Sequence, residues 1–396
     1  MPDQNRFRFR TACLSCLLFA PALSAEAPFL DPAEDTKHFG PPENILFWTP
    51  EQQVAGYRNM AKISYTRLIK AGENVLELPE EMVDLGPVMV RTEDAEMTVD
   101  DYFVRQNVAG LLVLKDGKIA YERYGLGNDQ NSRWISFSVA KSVVSMMVGV
   151  AIRDGYIESV DEMATNYLPR LKGSSYDQST IRSILQMSSG VAWNEDYADP
   201  QSDVNSASWS TLALYEYLRH KPREAPPGEL FNYNTAETNL VGTLLRSAIG
   251  NNLSTYLSEK IWRPFGMESD AHWQVTEPGG GEFGGCCISA TLRDYGRLGL
   301  FALAGGRLAD GTETMPENWM EESTTPSEPY AGYGYLWWLG DAGAYRAIGI
   351  FGQGICLHPE ENVVVALHSA RAVASDRKDW YLQYALCAAL AAALDD

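Results

Sequence analysis

The longest apolar stretch of the chain runs from Val139 to Ile152, interrupted only by Lys141, Ser142, Ser145 and Gly149, and it predicts a helix buried on nearly all sides. Upstream, Gly110 to Leu114 and Lys118 to Glu122 flank Asp116-Gly117, which predicts a β-hairpin. From Val160 to Leu303 the pattern is mainly helical, over Ser179 to Gln186, Trp209 to Leu218, Thr238 to Ile249, Leu253 to Ile261 and Thr291 to Leu303. Strand patterns return at Tyr333 to Leu339, Gly352 to Leu357 and Val363 to Ser369, and Asp379 to Leu394 reads as a closing amphipathic helix. Strands at both ends and helices between imply one sheet built from the two ends of the chain, with a helical part inserted. The expected fold class is α+β, an antiparallel sheet flanked by helices with an inserted all-helical domain. Residues 99–160 and 325–396 would form the α/β domain, 161–324 the mainly helical one, and 26–98 an N-terminal arm or subdomain rich in proline and acidic residues.

Residues 1–25 read as a signal peptide. Arg6, Arg8 and Arg10 precede an apolar stretch from Thr11 to Leu23, followed by small residues at Ser24, Ala25 and Ala27. An uncleaved anchor fits less well, because the stretch is short and contains Pro21. The mature protein is therefore expected to be periplasmic or secreted.

Composition is ordinary for a globular chain of 396 residues, 45% hydrophobic and 21% charged. The net charge of −20 becomes −22 without the leader, which repels phosphate backbones and anionic lipid, so neither nucleic acid nor membrane is an expected partner. Cys286, Cys287, Cys356 and Cys387 are too few for a disulfide scaffold, and a Cys356 to Cys387 bridge stays open. Adjacent cysteines have no zinc spacing, and the five histidines show no HExxH pairing, so no metal is expected. His358 and His368 read as structural residues beside a hairpin.

The candidate chemistry begins at Ser138-Val139-Ala140-Lys141, which opens the buried helix. A serine in the first turn and a lysine one turn on share a face. The helix dipole places roughly half a positive charge at the serine, and an apolar wall lowers the pKa of the lysine. Together these make a weak alcohol a nucleophile. A second Ser-x-x-Lys, Ser375-Asp376-Arg377-Lys378, lies in a charged stretch and reads as the solvated start of the last helix. Tyr233, in Phe231-Asn232-Tyr233-Asn234-Thr235 just before a helix, is placed to move a proton beside a cationic lysine.

In order along the chain, Ser138 to Lys141, Tyr233 and the late Ala347-Ile348-Gly349-Ile350-Phe351-Gly352-Gln353 resemble serine β-lactamases of class C type, most of all the 6-aminohexanoate-dimer hydrolase branch. Gly349 to Gln353 looks like that branch's Gly-Ile-x-Gly-Gln element, Trp193-Asn194-Glu195-Asp196-Tyr197 resembles its lid segment, and Gly284-Gly285 leading to Ser289 through Asp294 also matches. The resemblance implies an active site in a cleft between two domains. It implies Ser138 as nucleophile, Lys141 as its activator, Tyr233 as proton shuttle, the backbone N–H groups of Ser138 and Ile350 as oxyanion hole, and Trp193, Tyr197 and Gly349 against the substrate. No cofactor is needed.

Two departures shape the substrate. Thr235 stands where the β-lactamases have asparagine, and Ala347-Ile348-Gly349 replaces their Lys-Thr-Gly, removing the clamp for a β-lactam carboxylate. A small linear amide or ester, cleaved through an acyl-enzyme, is the expected substrate. The alternatives are a β-lactamase or D-alanyl-D-alanine peptidase and, in another class, a non-catalytic receptor for cell-wall peptides. Gly279 to Gly284 satisfies GxGxxG but is followed by helical pattern, so it reads as a flexible loop, and no GxSxG occurs.

Overall fold

The computed structural model describes residues 27–395; the predicted signal peptide lies outside them. Its strands are β1 (Thr66–Ile69), β2 (Met89–Arg91), β3 (Glu96–Thr98), β4 (Val108–Lys115), β5 (Lys118–Tyr124), β6 (Arg133–Ile135), β7 (Ala271–Gln274), β8 (Ile288–Thr291), β9 (Trp338–Leu339), β10 (Tyr345–Ile348), β11 (Gly354–His358) and β12 (Val363–Ser369). Four helices position the site: α1 (Val139–Arg153), α2 (Thr235–Ile249), α3 (Leu292–Leu303) and α4 (Arg377–Ala392).

The main sheet has the antiparallel order β5-β4-β12-β11-β10-β9, so the front hairpin and the late strands lie side by side. Asp116 and Gly117 both take positive φ at its tip, as an Asp-Gly hairpin turn requires. Strands β4, β11 and β12 are buried on both faces because α3 packs on one side and α4 on the other. Gly299 lets α3 approach closely, since a Cβ there would fall 2.4 Å from Val364 Cγ1. A bond between Cys356 and Cys387 ties β11 to α4, and Cys286 and Cys287 are bonded to one another.

A second sheet, β1-β7-β8-β6, differs from the expected pattern. Strand β1 comes from the N-terminal arm, while β7 and β8 lie in the segment that reads as helical. All four have three or four residues, too short to show alternation against the surrounding helical signal. The arm also packs Trp48, Val54 and Tyr57 into one apolar cluster with Trp134, Phe137 and Ile350.

Helix α1 is buried from Val139 through Ala151 and is the axis of the largest core cluster. It stops at Asp154 and Gly155, the latter left-handed at φ 78°. His368, stacked on Trp134 and met edge-on by Tyr295, is pushed down by burial to a pKa of about 3, as suits a structural histidine. No helix among the described residues is long and apolar enough to cross a membrane.

Candidate active site

Strand β6 delivers the chain to Ser136, which is clamped to β8: its N–H donates to the Ile288 carbonyl at 2.7 Å, and its hydroxyl accepts from the Ile288 N–H at 2.8 Å. Phe137 then adopts φ 43°, a left-handed conformation rare for a bulky residue. Its ring is fixed there by Tyr57 at 5.2 Å and Phe351 at 5.1 Å. This sharp turn sets Ser138 at the head of α1, 7% exposed.

One turn along, Lys141 is buried. Its Nζ lies 2.9 Å from Ser138 Oγ, 3.0 Å from Thr235 Oγ1 and 2.8 Å from the Gly285 carbonyl. Burial lowers its pKa from 10.5 to about 7, against the opposing pull of the Glu195 charge.

Tyr233 arrives on the loop before α2 and Thr235 is the first residue of that helix, whose start is capped by Asn234 accepting the Glu237 N–H at 3.1 Å. The Tyr233 ring centroid is 5.2 Å from Lys141 Nζ. Burial pushes its phenol well above the ordinary range, the Glu195 charge adds to this, and a hydrogen bond with Ser138 opposes it. Ser138, Lys141 and Tyr233 thus converge from distant parts of the chain. The Tyr233 ring stacks on Trp338 at 5.5 Å and meets Tyr333 edge-on at 6.2 Å.

The end of β10 completes the crevice. A Cβ on Gly349 would lie 2.6 Å from the Ser136 carbonyl oxygen, so only glycine lets the strand end approach the turn before Ser138. The Ile350 carbonyl accepts from Ser375 N–H at 3.0 Å, and Gln353 Oε1 accepts from Phe351 N–H at 3.2 Å. The N–H groups of Ser138 and Ile350, in contrast, meet no acceptor among the described residues.

Glu195 ties the 193–197 segment to the start of α2. It accepts from the Tyr197 hydroxyl at 2.6 Å, from Thr235 N–H at 3.1 Å, and from the Thr235 hydroxyl and the Trp193 indole N–H. Trp193 is buried against Trp209 and Tyr217, so its indole N–H on Glu195 is what it offers the site. Tyr197 is half-buried. Glu195, Trp338 and the Gly285 carbonyl have no role legible in the sequence, and Thr235 is visible there only as a departure from the β-lactamase asparagine. A carboxylate set among aromatic residues at 193–197 was the available signal for the first; a backbone carbonyl leaves none.

Among the described residues no three His, Cys, Asp or Glu side chains are gathered for a metal. A cavity of about 610 Å³, lined by Arg67, Arg170, Tyr215 and Arg246 among others, opens at the C-terminal end of α2, opposite Thr235.

Known proteins resemble this chain in sequence and in fold. The chain is 30% identical over 316 residues to the 6-aminohexanoate-dimer hydrolase of Paenarthrobacter ureafaciens, covering 73% of this chain and 79% of that one. A Bacillus anthracis structure provisionally assigned as a 6-aminohexanoate-dimer hydrolase superposes with a TM-score of 0.77 at 20% identity, over 87% of this chain and 94% of that one. The octameric penicillin-binding protein homologue from Pyrococcus abyssi gives 0.58 at 17% identity, over 74% and 76% of the two chains. These structures share the expected α+β fold. The Beta-lactamase family model matches residues 98–388, a span that runs from the front hairpin through Ser138, Lys141 and Tyr233 into α4, and the chain belongs to that family of serine hydrolases.

Proposed function

We propose that this chain is an exported hydrolase of linear amides and esters that works through an acyl-enzyme on Ser138. The observation that carries this reading is the contact of Ser138 Oγ with a buried Lys141 whose pKa falls to about 7. Near neutral pH a large fraction of such lysine is uncharged and accepts the Ser138 proton as Oγ attacks the substrate carbonyl. The developing oxyanion is met by the Ser138 and Ile350 N–H groups; losing one such donor typically costs about 3 kcal/mol of transition-state stabilisation. Tyr233 gives its phenolic proton to the leaving amine or alcohol as the C–N or C–O bond breaks and is reprotonated with the proton that Lys141 took from Ser138; water then attacks the acyl-enzyme, releasing the acid and returning a proton to Ser138 Oγ. Tyr197 and Gly349 border the substrate. Amide cleavage of the kind named for the Paenarthrobacter relative is the reaction we assign, and export fits the Cys356–Cys387 bond, which persists in an oxidising compartment.

A panel of linear amides, short-chain esters and a penicillin tests this. Turnover of the linear substrates is expected, abolished by Ser138→Ala and lowered about 10²- to 10⁴-fold by Tyr233→Phe. Rapid turnover of penicillin with no hydrolysis of linear amides or esters would overturn it.

A further inference from the structure

The cavity at the far end of α2 gathers three arginines and no acid. Arg67 comes from β1, Arg170 from the 3₁₀ turn Pro169–Leu171 and Arg246 from the last turn of α2, and none of the residues lining the space is Asp or Glu. Two of the three share one buried carboxylate, that of Glu282, which lies outside the lining. Arg67 Nη1 donates to its Oε1 at 2.6 Å and Arg246 Nη1 to its Oε2 at 2.7 Å. Burial pushes the Glu282 carboxyl up, but the Ser254 N–H, Arg67 and Arg246 outweigh it and hold the group below its ordinary pKa, so it is ionised near neutral pH.

One carboxylate does not use up three guanidinium groups. Arg67 turns Nη2 to the Gly280 carbonyl at 3.0 Å, while Arg246 has no acceptor for Nε or Nη2 among the described residues. The Arg170 guanidinium is exposed and makes no hydrogen bond or ion pair there; its charge reaches the buried Tyr215 phenol of the same lining. Three positive charges against one negative leave the cavity an excess of two. Neutralising Glu282 needs only one arginine, and gathering two more like charges costs repulsion unless an anion relieves it.

The chain as a whole carries −20, but in physiological salt that field is largely screened beyond about 8 Å, so an anion in the cavity meets the nearby guanidinium groups first. At about 610 Å³ the space has the size of a small-molecule site. It is separate from the catalytic crevice. Helix α2 runs 15 residues from Thr235 to Ile249, about 22 Å at 1.5 Å per residue, with the crevice at one end and the cavity at the other.

We propose that this cavity is a second binding site, for a small organic anion bearing two or more carboxylate or phosphate groups, held by Arg170 and the free N–H groups of Arg246. The guanidinium fork matches both kinds of oxyanion. A bound anion would join β1, the Pro169–Leu171 turn and α2, elements far apart in sequence, and so stabilise the fold. The proposal is independent of the chemistry at Ser138.

The test is calorimetric titration and thermal denaturation of the full chain with citrate and with pyrophosphate, ionic strength being held constant with sodium chloride. Saturable one-to-one binding of at least one probe is expected, with a Tm that rises with its concentration. Citrate alone assigns the site to polycarboxylates, pyrophosphate alone to phosphates, and either upholds it. Arg170→Glu and Ser247→Glu, both at exposed positions of the lining, should each raise Kd about tenfold or more while the ligand-free Tm stays in place. No saturable binding of either probe, or an affinity that survives both variants, overturns the proposal.

Discussion

Thr235 gives its hydroxyl proton to Glu195 and receives an N–H from Lys141 at 3.0 Å. A carboxylate only accepts, so the single Thr235 proton is committed and the threonine can offer Lys141 nothing but a lone pair. The Gly285 carbonyl, 2.8 Å from Nζ, is likewise only an acceptor. Of the three groups around Nζ, Ser138 alone has a proton to give. When Lys141 is neutral, its two N–H bonds stay on Thr235 and Gly285 and its lone pair faces Ser138 Oγ. On this account Glu195 sets the direction of proton transfer without touching the substrate.

The pH dependence follows from Lys141. Because burial lowers its pKa from 10.5 to about 7, kcat/KM for a neutral ester should rise with pH through about 7 and level off above it. The same shift links to stability. Between about pH 7 and 10.5 the unfolded chain holds a proton that the folded chain has lost, so this group's contribution to stability increases with pH across that window. Lys141→Met should abolish turnover and raise Tm near neutral pH, measurable by calorimetry alongside the pH–rate profile.

Removing the Glu195 charge should move that profile. Its pull opposes the effect of burial on Lys141, so Glu195→Gln is expected to shift the acid limb to lower pH. A glutamine also sets an NH2 group among the N–H donors that Glu195 now accepts from Thr235 and Trp193. Turnover on the plateau should therefore fall about tenfold. A limb that stays in place would show that Glu195 does not act through Lys141.

Thr235 can be tested at nearly constant shape. Thr235→Val leaves one buried Lys141 N–H without an acceptor, which predicts a loss of about 10- to 100-fold in kcat/KM. Thr235→Ser should restore most of it.

These relationships mark the boundary of what was legible beforehand. Ser138 and Lys141 stand out because a lysine inside an apolar helix is unusual, whereas Tyr233, one of 20 tyrosines, is singled out only by the order of motifs that resembles the β-lactamase family. The sheet assembled from both chain ends was legible because β4, β5, β11 and β12 are long, apolar and punctuated by Asp116-Gly117 and Asn362. Glu195 and Thr235 were opaque, since their roles consist of contacts between segments 40 residues apart. The second sheet was equally hidden, because β6 and β8 matter as a clamp on Ser136 and carry no length or alternation that would announce it.

Buried beneath the loop that carries Tyr233, Glu237 gives a separate test of the folded state. Its Oε1 accepts from Tyr176 at 3.2 Å and from Ser189, while Oε2 has no partner. Burial raises its pKa from 4.5 to about 8, against those two hydrogen bonds. Below pH 4.5 both states hold the proton; as pH rises toward 8 the unfolded state sheds it first, and stability is lost across that window. Relative to wild type, Glu237→Gln should gain about 5 °C in Tm at pH 9 and little at pH 5, read by thermal denaturation at the two pH values.

The most direct measurement is rapid acid quenching of the enzyme during turnover of a p-nitrophenyl ester, followed by intact-mass and peptide mapping. An acyl group on the peptide containing Ser138, formed with a burst of p-nitrophenol and absent in Ser138→Ala, is the predicted result. Turnover that persists in Ser138→Ala, or an acyl group carried on a different residue, would contradict the account.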